Sequence, residues 1–143
     1  MSNLSLFFKK NKKAKDNVFF PATKSLLGED GTPLLWEIKP ITTKEDEAIR
    51  DSCTKEIPIP GRPNMYRNRI DTSAYISKLL AACVVFPDLY NSELQDSYGV
   101  KTPEELLKEM IDNSGEYTEF TRYVQEFNGF NLSINDQADE AKN

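Results

Sequence analysis

The residues able to do chemistry in this chain are almost all carboxylates. Glu45, Asp46 and Glu47 stand together, Glu104 adjoins Glu105, and Glu116 precedes Glu119 by one helical turn. A glycosidase-like pair needs two such groups facing each other across a cleft in unlike environments. Here they fall near expected helix starts, where negative charge is favoured by the helix dipole. We read them as helix-terminal charges. Asp88, Glu93 and Asp96 surround a loop, but their spacing does not match a calcium site. Histidine is absent, which removes Ser-His-Asp and Cys-His nucleophile systems, HExxH zinc sites and histidine base chemistry. Cys53 and Cys83 stand apart without CxxC spacing and read as small apolar side chains in a reduced setting. There is no GxxxxGK[ST], GxGxxG or GxSxG motif. We therefore expect no catalytic residue, no metal site and no cofactor, and a protein that is not an enzyme.

The balance of charge narrows the partners. The 143 residues carry a formal net charge of −5, and a duplex binder needs a basic face to release counterions from phosphates. We expect no nucleic acid partner. The charge is uneven: Lys9, Lys10, Lys12, Lys13 and Lys15 make the first fifteen residues basic and leave the remainder more acidic. Leu4, Leu6, Phe7 and Phe8 accompany these lysines, but Ser2, Asn3 and Ser5 interrupt a run too short for a signal core or a span. Residues 1–16 read as a short amphipathic helix and basic linker, with no membrane partner. The length favours one domain, which we place at 17–130, with a polar tail over 131–143.

The elements that would position these residues begin with a hairpin over 17–40. Val18, Phe20 and Ala22 alternate, and Leu34, Trp36 and Ile38 share a face opposite Leu35, Glu37 and Lys39. Gly28-Glu29-Asp30-Gly31 between them is a turn signal. Pro40 closes the second strand, and Thr42-x-x-Glu45 is a capping box opening a helix to about Cys53. Residues 54–70 break the pattern, because Pro58, Pro60, Gly61 and Pro63 exclude a helix interior. Arg62, Arg67 and Arg69 with Met65 and Tyr66 make this a basic connector or partner-docking loop.

Asp71 caps the most apolar helix, expected over Thr72 to Phe86 and ended by Pro87. A helix apolar nearly all round is central to a fold or to an assembly. Shorter helices follow over Ser92–Tyr98, from Thr102-Pro103-Glu104-Glu105 to Ile111, and over Ser114–Asn128, with Gly99 and Gly129 as stops. The expected fold class is α+β, predominantly helical: an N-terminal β-hairpin and a bundle of four to five helices across 42–129. In the last helix Tyr117, Phe120, Tyr123 and Phe127, then Phe130, form an aromatic stripe. Such stripes commonly pack in cores, but this one also offers adaptable contact area for an apolar helix. These five are the candidate partner-binding residues.

Beyond this, the chain resembles the XkdN-like family of phage tail assembly chaperones of Gram-positive phages and prophages. The resemblance is carried by Asn17-Val-Phe-Phe…Leu35-Trp-Glu-Ile-Lys-Pro-Ile41, Ile49-Arg-Asp-Ser-Cys-Thr-Lys55, Ile57-Pro-Ile-Pro-Gly61 and Ala81-Ala-Cys-Val-Val-Phe-Pro-Asp-Leu89. It continues in Glu93-Leu-Gln-Asp-Ser-Tyr-Gly-Val100, Val124-Gln-Glu-Phe-Asn-Gly-Phe130 and Asp139-Glu-Ala-Lys-Asn143. It implies a cytoplasmic protein of the bacterial host that binds the phage tape measure protein and keeps it soluble before the tail tube polymerises. Incoming tail tube protein would displace it, so it would be absent from the virion. The alternative is a structural tail or baseplate component. The resemblance also implies a longer, frameshifted form, since Ala141-Lys142-Asn143 can be encoded by the slippery GCA-AAA-AAC. A homo-oligomer, through the hairpin edge or the apolar central helix, is a further expectation.

Overall fold

The computed structural model describes residues 3–130; the expected tail, Ala141-Lys142-Asn143 included, lies outside them. The structure is α+β, with five α-helices and two small antiparallel sheets among the described residues.

The expected hairpin pairs as read. Strand β1 (Val18–Phe20) runs antiparallel to β2 (Trp36–Ile38), with Phe20 opposite Trp36 and Val18 opposite Ile38. The turn between them forms at the expected residues. The Gly31 N–H donates to the Gly28 carbonyl at 3.0 Å, and Gly31 takes the left-handed φ of 81° that glycine tolerates. Asp30 Oδ1 accepts from the Thr32 hydroxyl at 2.8 Å and the Thr32 N–H at 3.1 Å. Those bonds hold the Asp30 carboxyl below its ordinary value.

Helix α1 (Thr43–Ser52) starts with the expected capping box. Three expectations are then corrected. Residues 54–70 are not an irregular loop but a regular ribbon, β3 (Thr54–Pro58) paired with β4 (Tyr66–Ile70). Pro58 closes the first strand, and Pro60, Gly61 and Pro63 occupy only the connection. Helix α2 (Thr72–Cys83) stops three residues short of the expected end. Val84–Phe86 form β5, the third strand of the first sheet, in the order β1-β2-β5. β-Branched and aromatic residues directly before a proline favour extended backbone. The N-terminal segment, expected as one helix, folds as two exposed 3-10 turns over Leu4–Phe7 and Lys9–Asn11.

Helices α3 (Ser92–Ser97), α4 (Pro103–Met110) and α5 (Ser114–Phe127) each begin on a side-chain cap, from Asn91, Thr102 and Asn113. The centre of the core is α2, which packs against α1, α4 and α5. Leu79, Leu80 and Cys83 of α2 meet Trp36 and Ile38 from the sheet, Leu106 and Leu107 from α4, and Phe120 and Val124 from α5. Burying each large apolar side chain contributes about 1.5–3 kcal/mol. Among the described residues no helix is long and apolar enough to cross a membrane.

Candidate interaction surface

The five aromatic residues singled out in the sequence are held by the chain itself. Phe120 is 0% exposed and meets Trp36 edge-on at 5.8 Å between ring centroids. Tyr123 stacks on Phe20 of β1 at 4.1 Å. Tyr117, Phe127 and Phe130 are partly buried against the core. Burial also pushes the Tyr117 hydroxyl above its ordinary pKa. Lys15 lies over the Phe127 ring at 4.4 Å and donates to the Phe127 carbonyl, so the basic segment is tied to the end of α5. Phe120 has no surface left to offer a partner. The other four expose only part of their side chains.

Several of the expected carboxylates take part in structural hydrogen bonds. Glu45 accepts from Lys39 at 2.9 Å and from the Thr42 N–H at 3.1 Å, and these bonds hold its carboxyl below the ordinary value. Asp46 accepts from the Tyr75 hydroxyl at 2.5 Å and from Arg50 Nε at 2.9 Å, linking α1 to α2. Burial first, and the Asp46 bond second, raise the Tyr75 pKa. Glu105 accepts from the Thr102 hydroxyl at 3.1 Å. Glu116 accepts from the Lys24 N–H at 2.8 Å and from Thr23 Oγ1 at 2.7 Å, which lower its pKa and fasten the loop after β1 to α5. Among the described residues, no group of three or more potential ligands lies where it could hold a metal ion. Both cysteines are buried and free, and burial pushes the Cys83 thiol up to about 11.

Exposed apolar side chains occur in the N-terminal segment, at the tip of the β3–β4 ribbon and at Tyr90, and one group of them lies on the outer face of the β1-β2-β5 sheet. Register puts Phe19 opposite Glu37 and Glu37 opposite Phe86, so these three form one row across the sheet. Phe19 is 60% and Phe86 64% exposed, and Leu35, just before β2, is also exposed. Alternation explains the row: Val18, Phe20, Trp36 and Ile38 face the core, so their neighbours face outward. Neighbouring strands lie about 4.8 Å apart, which places the two phenylalanines on the order of 10 Å from one another. Glu37 is the polar centre of the row and accepts from Asn17 Nδ2 at 2.9 Å. An irregularity between Glu37 and Ile38 leaves Val85 as an extra exposed residue on the β5 edge.

This row is only partly legible in the sequence. Phe19 and Leu35 have the opposite parity to the core residues. Phe86 falls within the helix expected over Thr72 to Phe86, although the run Val84-Val85-Phe86 before Pro87 carries a strand signal.

Comparison with known proteins fits the whole chain. The family model described as phage XkdN-like tail assembly chaperone protein matches residues 4–142. The phage-like element PBSX protein XkdN of Bacillus subtilis (strain 168) is 24% identical over 141 residues, 99% of this chain and 94% of that protein. The uncharacterized protein YqbN of the same strain is also 24% identical, over 99% of this chain and 93% of its own length. A crystal structure of YqbN superposes with a TM-score of 0.76 at 21% identity, covering 92% of this chain and 99% of that one. It shares the fold.

Proposed function

The chain belongs to the XkdN-like family of phage tail assembly chaperones, and from that premise we propose that it binds the tape measure protein of its phage. It keeps that protein soluble in the bacterial cytoplasm before the tail tube polymerises, and it leaves before the virion is complete. It acts by binding, without a catalytic step. The observation that carries this reading is the open row of Phe19 and Phe86 about Glu37, with Leu35 beside it. Exposed apolar patches rimmed by polar groups mark binding surfaces. A long helical protein awaiting its tube presents apolar stripes that need such a cover. Two short edge strands keep the site small, so each contact is weak and many copies act along one tape measure. The incoming tail tube protein then displaces them.

The same reading includes a longer form of the chain, made by a ribosomal slip at Ala141-Lys142-Asn143, which the codons of the gene test directly. The function is tested by co-expressing the chain with the tape measure protein. Soluble tape measure that co-purifies with the chain, together with absence of the chain from purified virions by mass spectrometry, is the expected result. Stoichiometric presence in virions would make it a structural tail component instead.

A further inference from the structure

The β3–β4 ribbon stands apart from the body. Its ten strand residues pair in unbroken register from Thr54–Ile70 to Pro58–Tyr66, yet nearly all of them are exposed. A two-stranded ribbon is marginal in water without something against it. The register sorts its side chains. Lys55 lies opposite Arg69 and Ile57 opposite Arg67, so three cations and one isoleucine share a face. Lys55 bridges to Asp71 at the ribbon's base at 3.3 Å. Arg67 and Arg69 make no ion pair among the described residues. A shallow cleft along the base is lined by Lys55, Ile57, Arg69, Ile70, Asp71 and Thr72.

The C-terminal helical part of the molecule has the opposite sign. Residues 88–130, which hold α3, α4 and α5, contain ten acidic and three basic side chains. On α4, Glu105 and Glu109 are both exposed and one turn apart. Their separation along the helix is about 6 Å, and that of Arg67 and Arg69 along the strand is about 6.7 Å. Lys108, the cation of that helix, stands one turn after Glu104, which offsets it.

The geometry points to the ribbon of one copy docking its Arg67–Arg69 face on the Glu105–Glu109 ridge of a second copy. The two surfaces differ, so the contact is head-to-tail, and it gives open chains unless the rotation from copy to copy closes a ring. This association is separate from the sheet face and independent of what that face binds.

Light scattering on the purified full chain tests this at two ionic strengths. At about 0.01 M salt the Debye length is about 30 Å, and at about 1 M it is about 3 Å. The mass should rise with protein concentration in the first buffer and return to the 16.3 kDa of one chain in the second. The R67E/R69E variant should associate on the order of tenfold more weakly or worse, because like charges then face each other. So should E105Q/E109R, in which glutamine keeps the helix start intact. Both changes lie on exposed residues, and circular dichroism checks that each variant folds. An equimolar mixture of the two variants should recover the association, since charges are again opposed at every junction. A single-chain mass for the wild type at low salt would overturn the proposal, as would variants that assemble normally or a mixture that does not recover. So would duplex DNA bound by the wild type and lost in R67E/R69E with no self-association, which would assign the ribbon to phosphates.

Discussion

Phe20 of β1 and Tyr123 of α5 stack with ring centroids 4.1 Å apart and planes inclined by 20°. This contact clamps β1 to α5 and turns the aromatic stripe inward. Phe120 lies beneath the same pair, 6.0 Å from Phe20. Phe120→Ala should therefore cost about 3–5 kcal/mol of stability, read as a large fall in the midpoint of thermal unfolding. Tyr123→Ala should also destabilise, by less, because its ring is only partly buried.

That clamp shows what was and was not legible in the sequence. Local signals held where one residue type decides the outcome: the Thr42–Glu45 capping box, the Asp30-Gly31 turn and the Thr102-Pro103 helix start all form at the expected positions. The β1–β2 pairing was legible from alternation. The third strand was not, because Val84-Val85-Phe86 continues an apolar run whose helical and extended readings differ only through the partner at β2. The ribbon was obscured by its prolines, which sit at the strand end and in the connection and leave the ladder intact. The stripe of α5 was found, but periodicity alone does not say what covers it. Phe20 and Trp36, distant in sequence, decide that.

The Tyr75 hydroxyl joins α1 to α2 through Asp46, with the Arg50 guanidinium 4.6 Å from the ring centroid. Removing a hydrogen bond to a charged group costs about 1.5–3 kcal/mol, so Tyr75→Phe should destabilise by roughly that amount in urea unfolding. The raised pKa of this hydroxyl gives a second readout. The folded state keeps its proton more tightly than the unfolded chain does. Its contribution is thus complete below the ordinary tyrosine value of 10.0 and declines as pH rises above it. Tyr75→Phe should flatten that alkaline decline.

Glu116 works at the other end of the scale. Its carboxyl is held below the ordinary 4.5 by the Lys24 N–H and the Thr23 hydroxyl. The bonds therefore contribute fully above pH 4.5 and are lost as pH falls through the lower, folded value. Glu116→Gln should lower stability at neutral pH, and its difference from the wild type should shrink in acid unfolding curves.

Cys53 and Cys83 should resist modification in the native protein. Both are buried, and the Cys83 thiol, with its pKa pushed up to about 11, is almost wholly protonated at pH 8. A chromogenic disulfide reagent should label both quickly in denaturant and slowly without it. Rapid native labelling of Cys83 would mean that the end of α2 opens.

The claim that the outer sheet face binds the tape measure is tested most directly by F19T/F86T, which keeps strand propensity and sets no charge opposite Glu37. Both side chains are exposed, so the fold should lose little, about 1 kcal/mol or less for the pair. Capture of co-expressed tape measure protein on the tagged wild type and on this variant is the measurement. The variant should fold normally and retain little or no tape measure. Equal capture by the folded variant, or none by the wild type, would contradict it.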